Sequence, residues 1–210
     1  MTGVFITFEG GEGGGKSTQA RLLRDALTSP TRPVLLTREP GGSPGAEVIR
    51  TLLVQGEVNR WDGMTEALLL NAARCDHVRK VIRPALMEGR IVISDRFADS
   101  TLAYQGYGHG IDMADLIEIQ HAAIGDFAPD LTLILDMPPE EGLRRAHARG
   151  GAEVRYENMD IAFHRRLRDG FLAIAAADPE RCKVIDATRS IDAIHADVLA
   201  VARAACERAG

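Results

Sequence analysis

Phe8-Glu9-Gly10-Gly11-Glu12-Gly13-Gly14-Gly15-Lys16-Ser17-Thr18 satisfies the pattern GxxxxGK[ST], and its flanks put it between a strand and a helix. Val4, Ile6 and Phe8 alternate with small or polar residues and, with Phe5, form a short apolar run suited to a largely buried strand. Beyond the loop, Ala20, Leu23 and Leu27 recur at helical spacing beside Leu22 and Ala26. A strand that feeds a glycine-rich turn into a helix aims several backbone N–H groups and the positive helix end at one point, which attracts phosphate. Close approach of backbone to ligand accounts for Gly10, Gly13 and Gly15. On this reading Lys16 reaches the β- and γ-phosphates of a nucleoside triphosphate and the Ser17 hydroxyl sits on Mg²⁺. A flexible glycine-rich linker would not be bracketed by a buried strand and an amphipathic helix.

The 210 residues suffice for one substantial core, and no linker-like stretch divides them, so a single domain over 1–210 is expected. A 45% hydrophobic and 26% charged composition is that of a soluble globular chain. Apolar runs are strand-sized and the N-terminus lacks a basic segment followed by a long apolar stretch, which points to the cytoplasm and away from a membrane. Cys75, Cys182 and Cys206 are odd in number and without metal-ligand spacing, so they read as free thiols. The net charge of −5 gives no general attraction to nucleic acid, and any nucleotide must be held in a local pocket. Positive charge does gather locally, in Arg144, Arg145, Arg149, Arg155, Arg165, Arg166 and Arg168.

Four further apolar runs read as strands: Pro33 to Thr37, Arg90 to Ser94, Leu131 to Leu135 and Lys183 to Ile185. Helical patterns cover Thr65 to Met87, with Pro84 a point of bending or interruption, then Asp112 to Ile124, Pro139 to His147, Asp160 to Ala176 and Ile191 to Glu207. Strands alternating with helices predict an α/β fold, a five-stranded parallel sheet with helices on both faces, in which ligands sit beyond the carboxyl ends of the strands. The phosphate loop, Arg38-Glu39-Pro40-Gly41-Gly42, Asp95-Arg96 and Asp136 each follow a predicted strand and so share that edge. No Asn-Lys-x-Asp base-recognition sequence is present. The arginines at several strand ends suit two phosphorylated ligands brought face to face, since phosphoryl transfer needs positioning and charge stabilisation more than covalent chemistry. Asp95, ending a buried strand beside the loop, could hold Mg²⁺ through water or form an ion pair, with the metal reading favoured.

The phosphate loop, Thr37-Arg38-Glu39-Pro40-Gly41-Gly42, Ala72-Ala73-Arg74, Asp95-Arg96-Phe97 and Ser100-Thr101-Leu102-Ala103-Tyr104-Gln105-Gly106 together resemble the thymidylate kinase family, from the first strand to the last helix. That resemblance implies a P-loop NTPase fold with a short lid, a homodimer packed through helices, and ATP-dependent conversion of dTMP to dTDP. It implies that Gly10, Gly11, Glu12, Gly13, Gly14, Gly15, Lys16, Ser17 and Thr18 hold ATP, with Ser17 and Asp95 toward Mg²⁺. Arg50 and Arg96 match arginines that clamp the acceptor phosphate, and Arg74 matches one that reads thymine. Thr101 and Gln105 match positions lining the base, Tyr104 an aromatic that leaves no room for a 2′-hydroxyl, and Glu12 an acidic position contacting the 3′-hydroxyl. Leu70 stands where an aromatic residue usually stacks on thymine, a departure that bears on base selectivity.

A lid over the donor phosphates excludes water, and the segment at about 145–158 has glycines for a hinge and cations for a clamp. Family members carry a catalytic arginine either in the phosphate loop or in the lid, and this loop has none. Arg149 and Arg155 are therefore the lid candidates, with Arg145 in support and Val154 where an acidic residue commonly precedes the arginine. The segment 186–189 after the last strand is the candidate for adenine contact. Two other readings stay open, a kinase for a different nucleoside monophosphate and a nucleotide-binding regulatory module without catalysis.

Overall fold

The computed structural model describes residues 3–57, 60–150 and 155–208. The chain runs β1 (Val4–Glu9), α1 (Lys16–Leu27), β2 (Val34–Arg38), α2 (Pro44–Val54) and α3 (Gly63–His77). A π-helical turn (Val78–Ile82) leads into α4 (Arg83–Met87), then come β3 (Ile91–Asp95), α5 (Ala98–Thr101), a second π-helical stretch (Leu102–Gly108) and α6 (Met113–Ile124). β4 (Leu131–Asp136), α7 (Pro139–Arg149), α8 (Ile161–Ala177), β5 (Cys182–Asp186) and α9 (Ile191–Arg208) complete it. The five strands form one parallel sheet in the order β2-β3-β1-β4-β5, as the alternation of elements anticipated.

Successive residues of each strand face opposite sides. Val4, Ile6 and Phe8 join Ile91, Ile93, Leu131, Leu133 and Leu135 against Ala20 and Leu23 of α1 and Ile194, Val198 and Ala202 of α9. On the other face Phe5 and Val92 meet Val78, Ile82, Phe97 and Ile124, while Ile134 packs with Phe163, Leu167 and Phe171 of α8. Every residue of β1 is buried, so the strand lies between two helical layers.

Three elements depart from the sequence reading. The run Thr65 to Met87 divides into α3, a π-turn and α4, because Pro84 has no N–H to give the preceding turn and the wider spacing of the π-turn absorbs that loss. α2 carries a start signal that periodicity did not reveal: the Ser43 hydroxyl accepts from the Ala46 N–H at 3.4 Å and Pro44 opens the first turn. The segment from Ala98 to Gly108 is helical where only a motif was read.

Glycines in the loop also meet the protein's own backbone. A Cβ on Gly13, whose φ is +70°, would collide with the carbonyl of Gly142 in α7, and a Cβ on Gly142 would collide with the carbonyl of Glu12. Loop and helix thus touch backbone to backbone, with no side chain between them. In an unconstrained helix Gly→Ala stabilises by about 1 kcal/mol. Here Gly142→Ala is expected to act in the opposite sense, lowering stability by about 1–3 kcal/mol. Calorimetry should register a lower Tm, and an unchanged or higher Tm would show that the two backbones can separate freely.

Candidate functional site

Two cavities adjoin at the carboxyl edge of the sheet. One is lined by the phosphate loop from Glu12 to Thr18, by Arg21, Arg38, Asp95 and Arg96, and by Arg149, Gly150 and Glu157. The other is lined by Pro40, Val54, Leu70, Arg74, Phe97, Ser100, Thr101, Tyr104, Gln105, Arg155 and Tyr156. Glu12, Glu39, Arg50 and Arg96 line both, so four side chains form the boundary.

On the loop side, Lys16 Nζ donates to the carbonyls of Gly10 (3.0 Å) and Gly11 (2.6 Å). Burial, then the nearby Arg96 charge, lowers its pKa to about 8. Ser17 Oγ donates to Asp95 Oδ2 at 2.5 Å, which puts two hard oxygen groups side by side at the mouth of the loop. No cluster of three or more His, Cys, Asp or Glu suited to a metal occurs among the described residues. A divalent cation here would therefore complete its shell with water and phosphate oxygens, the habit of Mg²⁺.

At the boundary, Arg96 donates to Glu12 Oε1 (2.9 Å), Gly10 O (3.1 Å) and Ser100 Oγ (3.2 Å), and lies over the Tyr104 ring at 4.9 Å. Tyr104 donates its hydroxyl to the same Glu12 oxygen at 2.5 Å. Burial alone would raise the Glu12 carboxyl, but Arg96, Lys16 and the Tyr104 hydroxyl outweigh it and hold the pKa at about 2. Arg50 donates to the carbonyl of Pro40 at 2.6 Å, which brings α2 to the same boundary.

In the second cavity Arg74 is 2% exposed. It donates to Glu39 Oε2 (2.8 Å), Asn71 Oδ1 (3.1 Å), the Phe97 carbonyl (3.1 Å) and Thr101 Oγ1 (3.0 Å). Glu39 also binds the His77 ring at 3.0 Å, and the far nitrogen of that ring bonds Thr37 Oγ1 at 2.8 Å. Gln105 is buried and donates to Glu66 Oε2 at 3.0 Å.

The two arginines read as lid candidates diverge. Arg149 lines the phosphate-loop cavity and donates to Glu157 at 3.0 Å. Arg155 is buried beside the second cavity, paired with Glu66 and donating to the carbonyls of Leu53 (3.2 Å) and Glu57 (3.1 Å). Arg145 turns toward the carbonyls of Ala187 (3.0 Å) and Thr188 (3.4 Å), against the segment 186–189. Residues 151–154, with the Val154 departure, lie outside the described set.

Sequence reasoning left Glu39, Glu66, Arg21 and Arg38 without roles. The position of Glu39 directly after a strand in a motif already singled out was a usable signal. Glu66 had none, since its partners lie far along the chain.

A sequence profile described as thymidylate kinase matches residues 8–198. The chain is 55% identical over 196 residues to the thymidylate kinase of Caulobacter vibrioides, covering 93% of this chain and 94% of that one. It is 51% identical over 197 residues to that of Ruegeria pomeroyi, covering 94% and 93%. The crystal structure of thymidylate kinase from Ehrlichia chaffeensis superposes with a TM-score of 0.78 at 39% identity, covering 97% of this chain and 99% of that chain.

One buried acid beneath this site leads to a pH test. Glu9 accepts from the Phe97 N–H at 2.7 Å and from the Ser100 hydroxyl at 2.5 Å. Burial, followed by the neighbouring Asp99 carboxylate, raises its pKa from 4.5 to about 8. The folded state then binds more protons than the unfolded state, so this contribution to stability is complete below pH 4.5 and is lost as pH rises through about 8. Urea midpoints measured across that window should fall more steeply in the wild type than in Glu9→Gln. Parallel profiles would refute the assignment.

Proposed function

This chain belongs to the thymidylate kinase family, and from that premise we propose how its two cavities divide the work. The enzyme transfers the γ-phosphoryl group of ATP to dTMP, giving dTDP for dTTP synthesis. The observation that carries the division is the shared boundary of Glu12, Glu39, Arg50 and Arg96: one cavity takes the triphosphate, the other takes dTMP, and the two phosphates meet at the arginines.

In this scheme the loop N–H groups and Lys16 hold the donor phosphates, which must draw Lys16 away from the Gly10 and Gly11 carbonyls it now contacts. Mg²⁺ held through Ser17 and Asp95 would offset negative charge between donor and acceptor. Arg96 and Arg50 bind the acceptor phosphate as guanidinium forks, and because that phosphate is already anionic the reaction needs no strong general base. Arg74 and Thr101 contact the base, with Leu70 an apolar wall and Gln105 behind it; Tyr104 and Glu12 face the sugar. Of the lid arginines, Arg149 is the one we assign to charge stabilisation, because it already lines the phosphate cavity. Arg155 we move to a supporting role.

We further propose a single domain and a homodimer packed through helices. Val48 of α2, Leu68 of α3 and Ile117 of α6 are large apolar side chains left exposed, at 65%, 52% and 56%, on helices that pack together. A cytoplasmic setting accords with three free cysteines, and no described helix is long and apolar enough to cross a membrane.

A coupled ADP-release assay with dTMP, dUMP, UMP, dCMP and AMP should show clear preference for dTMP and loss of turnover on chelation of the metal. Arg149→Ala should lower kcat roughly 10²- to 10³-fold while ATP affinity moves far less. Equal or better turnover of another acceptor would overturn the substrate, and unchanged kcat would overturn the role of Arg149. Light scattering at twice the chain mass would support the dimer.

A further inference from the structure

Glu66 lies on α3 one turn before Leu70 and two before Arg74, on the stripe that this helix turns toward the dTMP cavity, yet it does not line that cavity. It is fully buried. One carboxylate oxygen pairs with Arg155; the other accepts from Gln105 Nε2 at 3.0 Å and from the Tyr156 hydroxyl at 3.3 Å. All three of these partners do line the cavity. Arg155 continues to the Leu53 and Glu57 carbonyls at the end of α2, the helix that carries Arg50. The Tyr156 ring stands edge-on to Tyr104 at 5.2 Å.

Two segments of cavity wall therefore converge on one carboxylate of α3, one carrying Gln105 and the other carrying Arg155 and Tyr156 in the stretch read as the lid. Glu157, the next residue along, accepts from Arg149 at 3.0 Å beside the phosphate cavity. Resting on the dTMP site described above, we propose that Glu66 is a positioning residue through which occupation of that cavity sets the lid arm and, with it, Arg149. A ligand that presses on Gln105, Tyr156 or Arg155 acts on groups held by the same two oxygens, so the wall and the arm cannot shift independently. Arg155, on this account, anchors the lid and does not touch the transferring phosphate.

Glu66→Gln leaves the Arg155 charge without its counter-charge and presents an amide to the Gln105 amide. It is expected to raise the KM for dTMP at least about fivefold, the low end of measured coupling between sites, and to lower kcat. ATP affinity measured without dTMP should stay within about twofold of wild type. Breaking a buried pair also costs stability, whereas removing both charges is often neutral. The double variant Glu66→Leu with Arg155→Met is therefore expected to restore Tm while the dTMP KM and kcat remain impaired. Hydrogen exchange in the wild type gives a readout that requires no variant: dTMP alone, without ATP, should slow amide exchange in residues 155–157.

Recovery of kinetics together with Tm in the double variant would reduce Glu66 to a stability role and overturn the proposal. So would a folded Glu66→Gln enzyme with unchanged dTMP kinetics, or exchange in 155–157 that bound dTMP leaves unaltered. Failure of wild-type protein to bind dTMP at all would instead strike the substrate assignment on which this inference rests.

Discussion

Arg96 leaves β3 in a left-handed backbone conformation, φ +72°, that costs a non-glycine residue about 1–3 kcal/mol unless its surroundings enforce it. The enforcement is visible: its N–H donates to the Phe8 carbonyl at 2.9 Å, and its own carbonyl accepts from Ser94 Oγ at 2.8 Å. From that turn the guanidinium reaches the phosphate loop at Gly10 and Glu12 and the helical segment at Ser100 and Tyr104. A side chain continuing along the strand direction could not meet these groups from two stretches of chain. The parallel sheet supplies the edge, and Arg96 makes the two sides of the site into one. Its charge has a cost as well, because together with burial it lowers the pKa of Lys16. Triphosphate would relieve that repulsion, so the resting loop is electrostatically prepared for a polyanion.

Much of the remaining polarity around the sheet is buried and paired. Glu39 binds Arg74 and His77, and Asp99 receives two bonds from Arg181 at 2.6 and 3.1 Å while Thr132 Oγ1 donates to it at 3.2 Å. Such pairs rarely repay their desolvation as stability. Their use here is geometric: four hydrogen bonds leave Arg74 little freedom in direction. The same logic explains why Glu12, shared by Arg96 and Tyr104, stays ionised within a largely buried setting.

The strands were legible because β1, β3 and β4 are buried on both faces and therefore read as short apolar runs. The loop was legible because its glycines, lysine and serine sit at offsets set by phosphate geometry. α2 went unread although Ala46, Ile49 and Leu53 recur at helical spacing within its eleven residues, and its start is marked by a cap and a proline. The stretch from Leu102 to Gly108 escaped for a different reason: a π-helix has no 3.6-residue stripe to detect. At the site, Arg96 could be named from its place after a strand and the other arginines from the family resemblance, but their directions could not. Arg149 and Arg155 look alike in sequence, flanking the same glycines, and only a carboxylate on α3 separates their fates. Long-range partners of this kind leave no local trace.

The backbone contact between Gly13 and Gly142 bears on how such enzymes could be recombined. A lid is commonly treated as a cassette, exchangeable at its hinges. Here the first turn of the helix that carries it is moulded to the phosphate loop with no side chain to cushion a mismatch. A chimaera joined at the glycines near residue 150 would keep that fit, whereas one that also replaced α7 would have to import the matching loop. The natural module boundary in this fold therefore runs inside the helix, between its loop-facing first turn and its arginine-bearing end, and not at the glycine pair where the sequence would first suggest cutting.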